Sequence, residues 1–168
     1  MVALCTDYFW GKEMKRTRLT VELVPSGQWY VNLRSVLSKE DWDYIRRRAY
    51  KNAGYRCEIC GGKGPRHPVE CHEIWRYDEH PSGRKGVQVL EGVVALCPSC
   101  HQVKHLGLAH VRGKREVALK HLCKINGWSR QDALYYVEAI FEQWHQRSAC
   151  SWTQDMSWVE AVLDERNQ

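Results

Sequence analysis

From Leu19 to Val24 apolar and polar residues alternate, and a period of two predicts a strand. Pro25-Ser-Gly27 is turn chemistry, and alternation resumes from Gln28 to Leu33, so an N-terminal β-hairpin is expected. The period then changes. Trp42, Ile45 and Ala49 share one face of a helix from about Lys39 to Ala53, with Ser38 and Asp41 as its cap and Gly54 as its stop. Residues 57–110 read as loop-rich, with short strands at Val69–Trp75 and Val87–Leu96 and a mobile loop, Pro81–Gly86, between them. A helix is expected from Pro98 or Ser99 to about Leu106. Ala118, Leu119, Leu122 and Ile125 place a helix over Arg115–Asn126, stopped by Gly127. Ser129 with Asp132 caps another, striped by Ala133, Val137, Ile140, Phe141 and Trp144, and Ser157 with Glu160 opens a short last helix. These stripes read as core. The expected fold is α+β: an N-terminal hairpin plus basic helix (1–56), a small central unit (57–112) and a helical extension (113–168).

Composition narrows the class. A chain of 168 residues suffices for a domain with its own core, and 43% hydrophobic with 27% charged residues is ordinary for a globular protein. No apolar run approaches the roughly 20 residues that span a bilayer. The N-terminal stretch is short in apolar residues and interrupted by Asp7, unlike a secretory signal, so a cytoplasmic location is expected. The net charge of +5 is uneven: +5 over residues 1–56, +3 over 57–115 and −3 over 116–168. A positive field over the first two thirds suits a polyanion, DNA or alternatively RNA.

In a reducing compartment, paired cysteines hold metal more often than they form disulfides. Cys57-Glu-Ile-Cys60 and Cys97-Pro-Ser-Cys100 are two CxxC pairs separated by 36 residues. Two intervening residues let a tight turn aim both thiolates at one point, and two such turns complete the tetrahedron that Zn²⁺ prefers. A closed four-cysteine site serves folding. Cys5, Cys71, Cys123 and Cys150 read as small buried hydrophobes, with Cys71 set apart because it sits beside His72.

The second CxxC runs into Cys100-His101-Gln-Val-Lys-His105, so His101 and His105 share a helix face. Val69-Glu-Cys-His-Glu-Ile-Trp75 brings His72 on a strand. One histidine from a strand and two from a helix can make a three-ligand site with an open position, which activates water or polarises a phosphate.

The order CxxC, Glu-Cys-His-Glu-Ile, then Leu-Cys-Pro-Ser-Cys-His with a later Lys-His resembles the HNH endonucleases with a ββα-metal finger, in their zinc-knuckle subgroup, over about residues 55–106. The resemblance implies a ββα-metal core stapled by zinc and a catalytic divalent ion (Mg²⁺, Mn²⁺, Ni²⁺ or Zn²⁺). It also implies hydrolysis of phosphodiester bonds in DNA. His101 and His105 match the helix positions. One alignment makes His72 the metal ligand and Glu73 the general base; a slide of one makes His72 the base and Cys71 the ligand. Gly92 stands where the family has the Asn that orients its base. Lys104, Arg76, Arg112, Lys114 and Arg115 are candidates for phosphate contacts, and Trp75 and Tyr77 for base stacking or core packing. The rival readings are a non-catalytic zinc module that binds nucleic acid or protein on a degenerate HNH scaffold, and a structural protein whose acidic helical tail docks a partner.

Overall fold

A computed structural model describes residues 8–9, 12–13, 17–81 and 83–166. Cys5 and Ser82 lie outside the described residues. Strands β1 (Tyr8–Phe9) and β2 (Lys12–Glu13) form a minimal antiparallel pair. Helices α1 (Leu33–Val36) and α2 (Lys39–Asn52) follow. The centre is a long antiparallel hairpin, β3 (Glu70–Glu79) and β4 (Lys85–Leu96), leading into α3 (Pro98–Lys104) and α4 (Leu106–Val111). Helices α5 (Arg115–Asn126) and α6 (Arg130–Ser148), strand β5 (Ser151–Asp155) and helix α7 (Ser157–Arg166) complete the chain. The sheet order is β3-β4-β5, with β5 parallel to β4.

The N-terminal hairpin expected over residues 19–33 does not form. Leu19 and Val21 are buried, as the alternation requires, but the extended backbone here bonds to side chains and a helix end. Asn126 Oδ1 accepts from the amides of Arg18 and Leu19, and Asn126 Nδ2 donates to the Leu19 carbonyl, each at 2.9 Å. The Tyr136 hydroxyl accepts from the Val21 amide (3.0 Å), and the Glu22 amide donates to the Lys104 carbonyl (3.0 Å). A period of two reports extended chain with one buried face; it does not name the partner. Pro25 leads into a single 3-10 turn over Ser26–Gln28, and Asn32 with Ser35 forms a capping box that starts α1.

The expected helices of the remaining chain form, two of them at their expected caps; at the last, Ser157 is the first helical residue and its amide donates to Asp155 Oδ1 (2.9 Å). Ser38 accepts from the Asp41 amide at the head of α2, and Ser129 with Asp132 boxes the head of α6. Gly127 ends α5 with φ +67°, the left-handed turn that glycine adopts without steric cost. Helix α4 and strand β5 were not expected. The His80 amide donates to the Lys85 carbonyl (2.8 Å) where β3 turns back into β4.

The hairpin separates two cores. One gathers Leu19, Val21, Leu96, Val103, Leu106, Leu119, Leu122 and Val137 around the four paired cysteines. The other packs Leu33, Ile45, Leu90 and Val159 with Trp42, Trp75 and Trp158. Segments 1–56, 57–112 and 113–168 thus share their cores. The acidic tail also turns back on the basic helix, where Glu165 pairs with Arg48 (2.6 Å) and Arg166 with Asp41 (3.0 Å). No helix of the described residues is long and apolar enough to cross a membrane.

Candidate metal centres

The first CxxC turn is built by its own backbone. The Gly61 amide donates to the Cys57 carbonyl (2.8 Å), the Cys57 amide to the Gly62 carbonyl (2.9 Å), and Gly61 takes φ +72°. The turn docks on the end of β4: the Glu58 amide donates to the Ala95 carbonyl (3.0 Å), and Glu58 Oε1 accepts from the Ala95 amide (2.7 Å). The second pair opens α3, with Cys97 as N-cap and Pro98 at the first helical position. The four sulfurs of Cys57, Cys60, Cys97 and Cys100 lie within 4.8 Å of one another. Cys60 and Cys97 are 3.6 Å apart at sulfur. Zinc–sulfur bonds of about 2.3 Å at the tetrahedral angle set an edge of about 3.8 Å, so these residues fit a zinc ion. Burial, then the neighbouring Cys57, Cys97 and Cys60, push the Cys100 thiol well above its ordinary range. Sulfurs this close do not all ionise without a cation between them. His121 of α5, not singled out in the sequence, places Nε2 3.2 Å from Cys100 Sγ and so ties the helical extension to the staple.

One residue beyond Cys100 the second cluster begins. His72 of β3 meets His101 of α3 and His105 at its C-cap. One ring nitrogen from each lies within 4.8 Å of the others, and the ring centroids are 4.7–5.3 Å apart. Glu70 Oε2 lies 2.5 Å from His101 Nδ1, and a neutral His101 that donates Nδ1–H to this carboxylate keeps its lone pair at Nε2. That atom lies 3.1 Å from His105 Nε2. A carboxylate behind a histidine is the usual support of a metal ligand. The donor set and the inward lone pair fit a divalent ion. Burial lowers the affinity of His101 for a second proton, against its bond to Glu70. Burial, then the charges of His72 and His101, bring His105 down to about 3.

Glu22 was also missed. His72 Nε2 is 2.8 Å from Glu22 Oε2, and Lys104 Nζ contacts Glu22 Oε1. Burial pushes the Glu22 carboxyl up, but the His72 hydrogen bond and the Lys104 charge outweigh it and hold the group at about 2. Alternation along residues 19–23 was the available signal: if Leu19 and Val21 face the core, Glu22 faces the other way.

Two expectations about β3 are corrected. The strand runs on to Glu79 without bending at His72, so Glu73 points away from the histidines. Glu73 Oε1 accepts from the Leu33 amide at the head of α1 (2.7 Å), and Oε2 from the Trp75 indole (3.0 Å). Both oxygens are spent on structure. Cys71 shares that far face, with Tyr50 and Arg46 of α2 as neighbours, and joins neither cluster. Burial, then the Glu73 charge, pushes its thiol up to about 12. Gly92 has a local cause. The β3–β4 register shifts between Ile74 and Trp75, leaving Glu91 unpaired, and Gly92 takes φ +155° beside Trp158. An asparagine there would be strained.

The basic candidates scatter. Lys104, expected on a phosphate, is 7% exposed, and its ammonium is taken by Glu22 and by Thr20 Oγ1 (2.7 Å). Arg76 pairs with Asp78 and Glu91. Arg112 and Lys114 are exposed around the α4–α5 connection, and Arg115 is half-buried beside Glu116 (3.5 Å). Trp75 packs in the second core; Tyr77 packs edge-on against Trp152 (5.1 Å) under the Arg147 guanidinium.

No known family, curated protein or solved structure matches the chain.

Proposed function

We propose that this protein is a metal-dependent phosphodiester hydrolase of the HNH type, acting on DNA, with a structural zinc at the cysteines. One observation carries the reading: His72 from a β-hairpin and His101 and His105 from the following helix converge one residue beyond a four-cysteine knuckle. A divalent ion held by these imidazoles would neutralise charge on a phosphate and on the leaving oxygen. Glu70 holds the His101 ring with Nε2 inward, and the Cys97–Cys100 turn fixes the helix that presents it. The positive balance of residues 1–115 draws the polyanion.

The test is purified protein with plasmid DNA and Mg²⁺, Mn²⁺ or Ni²⁺. Nicked or linear product is expected, and His101→Ala should abolish it. Absence of cleavage of any form of DNA or RNA with each metal overturns the hydrolase. A second reading rests on Glu73, which stands at the general-base position yet is committed to the head of α1. On that reading the chain is a zinc module that binds nucleic acid without cutting it. Salt-sensitive DNA binding that survives His101→Ala, with no cleavage in the wild type, selects it.

A further inference from the structure

We propose that the outer face of the cysteine knuckle docks the phosphate backbone of duplex DNA, through Arg18, Lys51, Arg56, Lys63 and Arg66. The inference rests on DNA being the partner, and it holds whether or not the chain cuts it.

These are cations that the fold leaves unpaired. Lys104 and Arg76, named in the sequence for phosphate contacts, are taken by carboxylates. On α2, Arg46 and Arg47 share Asp43, and Arg48 pairs with Glu165. Arg18, Lys51, Arg56, Lys63 and Arg66 are exposed, and none of them forms an ion pair among the described residues.

Their backbone or side chains are fastened to the two CxxC turns. Arg18 Nη2 donates to the Ile59 carbonyl (2.9 Å) and Arg56 Nη1 to the Gly61 carbonyl (3.2 Å), both in the first turn. Each guanidinium keeps further N–H groups for an anionic oxygen. Lys63 and Arg66 belong to the next loop, in which the Gly64 amide donates to the Pro68 carbonyl (2.9 Å). Gly64 lies so close to the second turn that an added methyl would come within 2.6 Å of the Pro98 ring. Lys51 lies in the last turn of α2. Gly54 (φ +57°) and Tyr55 (φ +55°) swing the chain from there into Cys57, and Tyr55 is left 50% exposed. A left-handed tyrosine is a costly conformation, of the kind met where a function holds it.

The metal does not need all of this charge. Zn²⁺ with four thiolates carries −2, and Glu58, whose carboxylate accepts from the Ala95 amide, adds one more. The five cations exceed these negative charges by two, and the surplus faces solvent. A duplex, with one charge per about 1.7 Å of its axis, suits a surplus spread over several residues.

The test uses the full chain with zinc at the cysteines and a fluorescent DNA duplex of about 20 base pairs, titrated by anisotropy between about 50 and 200 mM salt. Lys63→Ala/Arg66→Ala is compared with Arg112→Ala/Lys114→Ala, which removes the same charge from the α4–α5 connection. The first pair should weaken binding at 50 mM salt at least about 10-fold and lower the slope of log affinity against log salt by about 2, with zinc content unchanged. An effect no larger than that of the second pair overturns the proposal. Loss of zinc at wild-type DNA affinity assigns the charges to the thiolates and overturns it too. If the wild type binds no duplex at 50 mM salt, the nucleic-acid reading falls and this face with it; if it binds and the first pair binds equally well, only this face falls. Should Lys63→Ala/Arg66→Ala unfold by circular dichroism, Lys51→Ala, outside both turns, carries the same readout with a slope change of about 1.

Discussion

Replacing Asn126 by alanine should loosen the segment that carries Glu22. Asn126 is 6% exposed and makes three hydrogen bonds of 2.9 Å to the backbone of Arg18 and Leu19. Each such bond contributes about 1 kcal/mol net, so removing all three should cost about 3 kcal/mol. Letting the segment detach instead forfeits the burial of Leu19 and Val21, at about 1.5–3 kcal/mol per side chain, so that escape is no cheaper. Urea unfolding of zinc-loaded protein should therefore show a loss near 3 kcal/mol, about a 150-fold change in the folding equilibrium. Hydrogen exchange at the Leu19 amide should accelerate in parallel. Asn126→Asp keeps an acceptor for both amides but sets a carboxylate oxygen against the Leu19 carbonyl in a buried place, so it should not rescue the loss at neutral pH. A change in Asn126→Ala below about 0.5 kcal/mol, the range of neutral surface substitutions, with unaltered exchange at Leu19, refutes the anchoring role.

Cys100→Ser should release one zinc per chain by elemental analysis and lower the melting temperature, as should a strong chelator acting on the wild type. Glu70→Gln should weaken metal binding at the histidines by about 10–100-fold while leaving the cysteine-bound zinc in place, read by calorimetry and metal content. Burial holds the folded-state pKa of His105 at about 3, below the ordinary 6.5, so the unfolded chain binds a proton between these values that the folded chain does not. Stability of chain free of metal at the histidines should thus fall as pH drops from 6.5 toward 3, and in His105→Gln the slope should be shallower by at most about 1.4 kcal/mol per pH unit. Gly127→Ala should cost about 1 kcal/mol in thermal or urea unfolding, because the residue keeps φ +67° and the added methyl gains no contact.

Much of this was legible where the signal is local. The CxxC turns, the four-residue step from His101 to His105, and the Ser38 and Ser129 caps each span a few residues, and each is found in place. The rest depends on partners far along the chain. Leu19–Leu23 reads as a strand, yet its partners are Asn126, Tyr136 and Lys104, more than 80 residues away. Strand β5 lies parallel to β4 from beyond α5 and α6, a pairing that no turn residue announces. Glu73 stands beside His72 in sequence but across the sheet from it in space, and the nearer carboxylate to the ring is Glu22, 50 positions upstream.

The anchoring of residues 18–22 also sets an order of assembly. As a chain is made from its N-terminus, Glu22 emerges before His72, His101 and His105. The side chains that pin its segment, Asn126 and Tyr136, come later. Until α5 and α6 have been synthesised and packed, Glu22 has only Lys104 and His72 to hold it in place. The zinc knuckle and hairpin can form on a growing chain, while the full set of side chains around the histidines belongs to the finished one.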